Sequence, residues 1–489
     1  MTDPSVSHEL AQLVAIAEGP VTVANAASVL GREPREILEA VESLTAEGTI
    51  VDETAGLTAA AGLPMPSPSR HAYLAGALAD LLESQGGDAG RIGKLLVAAG
   101  RPQEGFSRLS GAVLDHGHTR GDAERLHLAD AAVAAAAAAR IEAGPTEGRL
   151  RLARARLLRG VGRSEEAAAD LTVAVKRLEG AEKVDALAFS AAIADDRQHP
   201  QEAEVWVALA EEAAVMAGEQ AKLGSVLTFH GRELSRIGFA EEADAALAKG
   251  NALIEEHGNP AQRFYGRMNR AWVELDRGEP RRAEADFAEL RDRALELEGE
   301  ASLADKEAYL ARALFGQGRA DEAMASLEAA ESRATATGAI APAFIAALAR
   351  AEGGLQFGRY EEALAGADKA LEITSAHLPA WNNVAGYLRA RSLAELGRTE
   401  EARAALAEAR MATPPGVDGW RWRARIRELE MELGTGAWPQ REAEDLTDEL
   451  LHSRFYGPAA ELMTVRASRE KDPELAALAA ALALRVGNP

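Results

Sequence analysis

One motif recurs along this chain at a spacing close to 40 residues, and that recurrence constrains the fold more than any other feature. Its copies are GRSEEAAADL (162–171), GFAEEADAAL (238–247), GEPRRAEADF (278–287), GRADEAMASL (318–327), GRYEEALAGA (358–367) and GRTEEARAAL (397–406). A degenerate copy, QHPQEAEVWV (198–207), lies between the first two. The leading glycine suits a left-handed turn that ends one helix. Pro200 and Pro280 stand where the next helix begins. Ser164 and Thr399 are candidate N-caps, and the paired acids of the first turn complement the helix dipole. An alanine follows the turn at 167, 203, 243, 283, 323, 363 and 402. Twelve residues earlier stands another small residue: Ala155, Ala191, Gly231, Ala271, Ala311, Ala351 or Ala390. Both helices of each pair thus offer a small residue for close approach. The residue four positions after the alanine, such as Leu171, Val207 or Phe287, lies on the same face.

This pattern resembles the tetratricopeptide repeat, a helix-turn-helix module that stacks into a superhelix. The resemblance implies an all-α, tetratricopeptide-like α-solenoid, with a period longer than the usual ~34 residues. Weaker copies flank the array at 95–112, around Arg441-Glu442-Ala443, and after Pro473. Residues 146–412 read as the regular array, 63–145 as atypical capping repeats and 413–489 as degenerate ones. Atypical ends are expected where a repeat meets solvent.

Composition narrows the chemistry. The 489 residues carry a net charge of −23 and include no cysteine, which excludes disulfides and thiolate chemistry. Such acidity argues against nucleic acid as the main partner. No signal peptide or membrane helix is visible, so the chain reads as cytoplasmic. The alanine run 131–139 reads as a tightly packed helix. The Ala/Arg/Gly-rich balance suggests a bacterial source.

Residues 1–62 form a separate pattern of three short helices (7–17, 22–30, 33–46) and two small strands near Thr49–Val51 and Leu57–Thr58. That is a winged-helix pattern. Its third helix carries Glu33, Glu36, Glu39 and Glu42 against Arg32 and Arg35, a balance opposite to a phosphate-binding surface. A winged helix followed by RHAYLAGALADLLES, KLLVAAGRPQEGFSRL and a long array resembles part of the signal-transduction ATPases with numerous domains, including maltose-regulator-like transcription regulators. In that family the array senses an inducer or partner and the ATPase is the switch. The nearest string to a phosphate loop here, GDAGRIGKLL (87–96), has Asp88 where glycine is needed and Leu95 where Ser or Thr should hold magnesium. The resemblance therefore implies a sensor or scaffold without ATP hydrolysis, with a separate regulatory ATPase among its partners.

No catalytic residue, cofactor or metal is expected. The best metal candidate is Asp115-His116-Gly117-His118 with Asp122, which reads better as a polar turn. The more useful pattern is on the first helices, which line the concave face in tetratricopeptide arrays. Eleven residues before each reference alanine stand Arg156, Ala192, Arg232, Trp272, Arg312, Glu352 and Arg391. Phe229, Tyr265, Asn269 and Tyr309 occupy nearby equivalent positions. Two readings stand side by side. Either the arginines and aromatics bind an extended acidic peptide or protein tail, or the arginines bridge to the glutamate-rich neighbouring helices. On the first reading, replacing Arg232, Trp272 and Arg312 together abolishes partner capture without altering the melting temperature. Trp420-Arg421-Trp422-Arg423 is a second contact candidate, or else tryptophan packing into a terminal repeat. The functional expectation is a non-enzymatic protein- or peptide-binding scaffold or sensor. The alternative is a transcription regulator that binds DNA through residues 1–62 and a ligand through the repeats.

Overall fold

The structure, a computed structural model, describes residues 4–60, 63, 65–115, 122–141, 144–413 and 420–486. It divides into two compact units, Met1–Leu157 and Leu158–Pro489.

Unit 1 begins with α1 (Pro4–Ile16), α2 (Val23–Leu30) and α3 (Pro34–Ala46), followed by a hairpin of β1 (Ile50–Glu53) and β2 (Gly56–Ala59). The strands pair Ile50 with Ala59 and Glu53 with Gly56, and Val21 bridges to Leu57. Leu10, Leu13, Ile37 and Leu57 are fully buried between them. Next come α4 (Pro68–Ser84), α5 (Ala89–Ala98), α6 (Pro102–Leu114), α7 (Asp122–Ala139) and α8 (Pro145–Gly160). Asp88 caps α5 by accepting from Arg91 N at 2.7 Å. A carboxylate thus sits where a phosphate loop would need its anion. The alanine run belongs to α7, where Ala132 and Ala135 are fully buried against a cluster containing Phe106 and Leu109. The repeat rule already operates here. A Cβ on Gly93 would lie 2.6 Å from Leu109 Cγ, and one on Gly105 would lie 2.5 Å from Val97 Cγ2. His116 and His118 of the metal candidate lie outside the described residues.

Unit 2 is a succession of antiparallel helices. They are α9 (Ser164–Arg177), α10 (Gly180–Asp196), α11 (Pro200–Ala217), α12 (Gln220–Arg236), α13 (Ala240–His257), α14 (Pro260–Asp276), α15 (Pro280–Leu297), α16 (Glu300–Phe315), α17 (Ala320–Thr337), α18 (Ile340–Gln356) and α19 (Tyr360–His377). There follow α20 (Asn382–Glu395), α21 (Thr399–Met411), α22 (Trp420–Glu432), α23 (Gln440–His452), α24 (Tyr456–Glu470) and α25 (Pro473–Val486). All seven reference alanines, 167 to 402, are 0% exposed, and so are the alanines twelve residues before them. This is an all-α, tetratricopeptide-like solenoid whose helix pairs close on small residues. The turn glycines 162, 238, 278, 318, 358 and 397 all have φ between 68° and 93°. Ser164 and Thr399 are not caps but first helical residues. The preceding Arg163 and Arg398 hold the N-cap position, and their guanidiniums bond Glu166 and Glu401 three residues on. The second acid of each turn is thereby an ion-pair partner as well as a dipole partner.

Two residues other than glycine, Gln198 (φ 54°) and Arg454 (φ 59°), take the left-handed turn position in their copies. Both lie where the stack returns upon itself. Gln198 and Asn383 exchange side-chain amide hydrogen bonds at 3.0 and 3.3 Å. Trp381, in the 3-10 turn Pro379–Trp381, donates its Nε1–H to the Asp196 carbonyl at 3.1 Å. Arg454 pairs with Asp244, and Gly457 N donates to the Arg277 carbonyl at 3.1 Å. Turns near 198, 244 and 278 therefore abut loops about five repeats further on, which winds unit 2 tightly. Each departure from glycine accepts a strained backbone in return for a side chain that spans this seam.

A buried carboxyl adds a pH dependence. Burial, with Asp286 nearby, pushes Glu274 on α14 up from 4.5 to about 7, and its Oε2 is buried without a hydrogen-bond partner. Folded unit 2 holds this proton where the unfolded chain has lost it. Stability from this group therefore falls as pH rises through that window. Glu274→Gln is expected to stabilise the protein by about 1–2 kcal/mol near pH 8 and negligibly near pH 4. Urea unfolding at the two pH values reads this directly.

Candidate functional site: the inner face of the helical array

Among the described residues several first helices of successive pairs touch one another closely, α12 with α14 and α16 with α18, whereas successive second helices do not. Crowding on one side and splay on the other curve the stack, so the first helices line its concave face. Their small residues twelve before the reference alanine turn into the pair, which leaves the following residue on the inner face.

The centre of this face is an aromatic and arginine cluster. Arg232 is only 8% exposed. Its guanidinium lies between the rings of Phe229 and Trp272, 4.6 and 4.8 Å from their centroids. Its Nη2 reaches Asp195 of the preceding first helix at 2.5 Å and Glu233 at 3.0 Å. Trp272 meets Tyr309 edge-on at 5.6 Å, and Tyr309 stacks on Phe287 at 5.2 Å. Arg312 lies 5.6 Å over Tyr309 and binds Glu352 of α18 with two bonds of 2.7 and 2.9 Å. Asn269 is buried and donates to Thr228 Oγ1 at 3.2 Å. Burial works against the Arg312 charge, but the Glu352 carboxylate outweighs it, and the guanidinium pKa is raised. Burial pushes the Glu233 carboxyl up despite Arg232 beside it. The Tyr309 hydroxyl is pushed up by burial, with Asp305 adding to it.

Of the residues singled out from sequence, Phe229, Arg232, Asn269, Trp272, Tyr309 and Arg312 come together on three adjacent first helices, α12, α14 and α16, with carboxylates supplied by α10, α12 and α18. Tyr265 is 45% exposed; it meets Phe264 edge-on at 5.8 Å and donates to Glu298. Arg391 sits further along on α20, paired with Glu432 at 2.6 Å and Glu395 at 3.1 Å. Arg156 is an exposed residue of unit 1. Trp422 is half-buried and packs against Tyr387, with ring centroids 6.0 Å apart; the Trp420 and Arg421 side chains lie outside the description.

Three of the four arginines, Arg232, Arg312 and Arg391, hold carboxylates of neighbouring first helices. Sequence reasoning missed Asp195 and Glu432 as those partners, and Glu233 beside Arg232 on its own helix. One signal was available: Glu352 occupies the same repeat position as Arg312, one copy later. The burial of Arg232 also overturns the expectation that the triple replacement leaves stability intact. Among the described residues no group of three or more His, Asp and Glu is placed to hold a metal, and no helix is long and apolar enough to cross a membrane.

No protein-family model matches the sequence, and no curated protein matches it. Among solved structures, the chain is similar to a signal-transduction ATPase with numerous domains that has a tetratricopeptide-repeat sensor, from Pyrococcus horikoshii. Identity is 12% over 97% of this chain and 65% of that one, with a TM-score of 0.38. This chain therefore spans less than two thirds of that protein's length. It is also similar to a Rap protein complexed with competence and sporulation factor, at 13% identity over 84% of this chain and 97% of that one (TM-score 0.42). For yeast Tom70 the identity is 14% over 85% and 96% of the two chains (TM-score 0.34). The fold rests on the chain's own repeat geometry, an all-α solenoid of tetratricopeptide-like helix pairs.

Proposed function

We propose that this chain is a non-enzymatic protein- or peptide-binding scaffold or sensor in bacterial signalling or transcriptional control, and that its inner face takes an extended acidic segment of a partner. A separate regulatory ATPase is one such partner. The supporting observation is the contiguity of Phe229, Arg232, Trp272, Tyr309 and Arg312 on adjacent first helices. Aromatic and arginine side chains are the types that anchor interfaces. Arg232 is sealed and serves as the platform. Arg312 is the exchangeable rung, because its partner Glu352 keeps a third of its side chain exposed (33%). A ligand carboxylate would take the place of Glu352 on the guanidinium fork.

The test follows from that exchange. Glu352→Gln frees Arg312 from its internal competitor. Binding of labelled, extended peptides rich in Asp and Glu is expected to tighten about tenfold, and Arg312→Ala to weaken it by a similar factor. Anisotropy titrations that respond to neither substitution would remove the acidic-ligand reading. DNA binding through residues 1–62 finds less support. Arg32 pairs with Glu9 at 3.2 Å and Arg35 with Glu39 at 3.3 Å, while Glu39 and Glu42 are exposed on α3. A gel shift at low salt is expected to show no complex.

A further inference from the structure

The outward face of α11 is more apolar than those of the other second helices of the regular array. Two residues after the reference alanine, the other six regular copies carry alanine (169, 245, 285, 325, 365 and 404), but α11 carries Val205. Six residues after it, four copies carry a charge (Lys249, Glu289, Lys369 and Glu408) and two carry Val173 and Ala329, whereas α11 has Leu209. Thirteen after it, Glu256 and Glu296 correspond to Met216. These are not core residues. Val205, Leu209, Val215 and Met216 are 60, 42, 61 and 81% exposed, while Ala203, Val207, Ala210 and Ala214 on the opposite side are buried. Leu295 on α15 and Met411 on α21 are exposed singly, whereas α11 groups four such residues on its solvent side, where they add nothing to the packing of the array.

The charge around the stripe selects its occupant. The helix carries Glu202, Glu204, Glu211 and Glu212 and has no Lys or Arg. Glu202 is engaged by Arg197 and His199, and Glu211 by His230. Glu204 and Glu212 are exposed beside the apolar residues. A second copy would set acid against acid on this face. We infer that the outward face of α11 is a second docking site, and that it takes an amphipathic helix of a partner protein whose apolar stripe is flanked by Lys and Arg. With the inner face, it gives the chain two separate surfaces of opposite preference.

The probe is an 18-residue amphipathic helical peptide of Leu and Lys, with a Leu/Glu peptide of the same pattern as control. The decisive variant is V205A/L209K/M216E, which installs what α13 carries at these positions. It adds one base and one acid, so the net charge is unchanged and a loss of binding reads the apolar stripe. The Leu/Lys peptide is expected to bind the full chain and to bind the variant at least tenfold more weakly, with the Leu/Glu peptide binding neither. Equal binding to both proteins, or no binding, overturns the proposal. So does a wild-type dimer, seen by sedimentation, that the variant dissociates, because the occupant is then a second copy. A lower melting temperature of the variant also overturns it, because the stripe then serves packing.

Discussion

Arg232→Ala is expected to destabilise unit 2 by about 3 kcal/mol, the lower end of what breaking a buried ion pair does. The guanidinium is the filling between Phe229 and Trp272 and the partner of Asp195 and Glu233. Its removal leaves two buried carboxylates, 7 and 2% exposed, with less positive charge. Arg236 still pairs with both acids, which keeps the loss from reaching the upper end of that range. Arg232→Lys is expected to fall between, since an ammonium keeps the charge but neither stacks flat nor forks. Urea unfolding followed by circular dichroism measures all three proteins. Arg398→Ala, at an exposed pair with Glu401, is the control and should leave the midpoint unmoved. An unmoved midpoint for Arg232→Ala would show that the cluster does not hold the inner face together.

The second large effect is expected at the seam. Gly278 has φ 77°, and a Cβ there would lie 2.6 Å from Gly457 Cα and 2.7 Å from Gly457 N. Gly278→Ala combines a left-handed backbone cost of about 1–2 kcal/mol with overpacking of about 1–3 kcal/mol, so about 2–5 kcal/mol in all. Gly397 has φ 73° with nothing within 4 Å of the added atom. Gly397→Ala should therefore show the backbone contribution alone, and the difference between the two variants measures the seam. Hydrogen exchange gives an independent reading. The Gly457 amide, bonded to the Arg277 carbonyl, is expected to lose protection in Gly278→Ala and keep it in Gly397→Ala. Equal destabilisation by both would mean that the turns merely pass each other.

Much of this architecture was legible because it is local. The glycine turns, the proline at N1 and the two small residues twelve apart act within one helix pair, so their spacing is written directly into the chain. The small-residue rule even reached the atypical Gly93 and Gly105. What the periodicity concealed was informative only as exception. Gln198 looked like decay of the motif and Arg454 went unread, yet each is a side chain that crosses the seam. Ser164 and Thr399 looked like caps because hydroxyls usually cap, whereas the turn backbone assigns that place to the arginine before them.

The amino-acid sequence alone determined the helix pairs, their close-packing positions and the cluster of arginine and aromatic side chains on the first helices. Each follows from contacts within one repeat or between neighbouring repeats at a constant interval. Only the tertiary structure decided that the arginines are already paired and that the stack returns upon itself. Arg232 finds Asp195 across 37 residues, and Gln198 finds Asn383 across 185. The first meeting depends on how adjacent helix pairs are rotated against each other, the second on that rotation summed over several repeats, and no single residue encodes either.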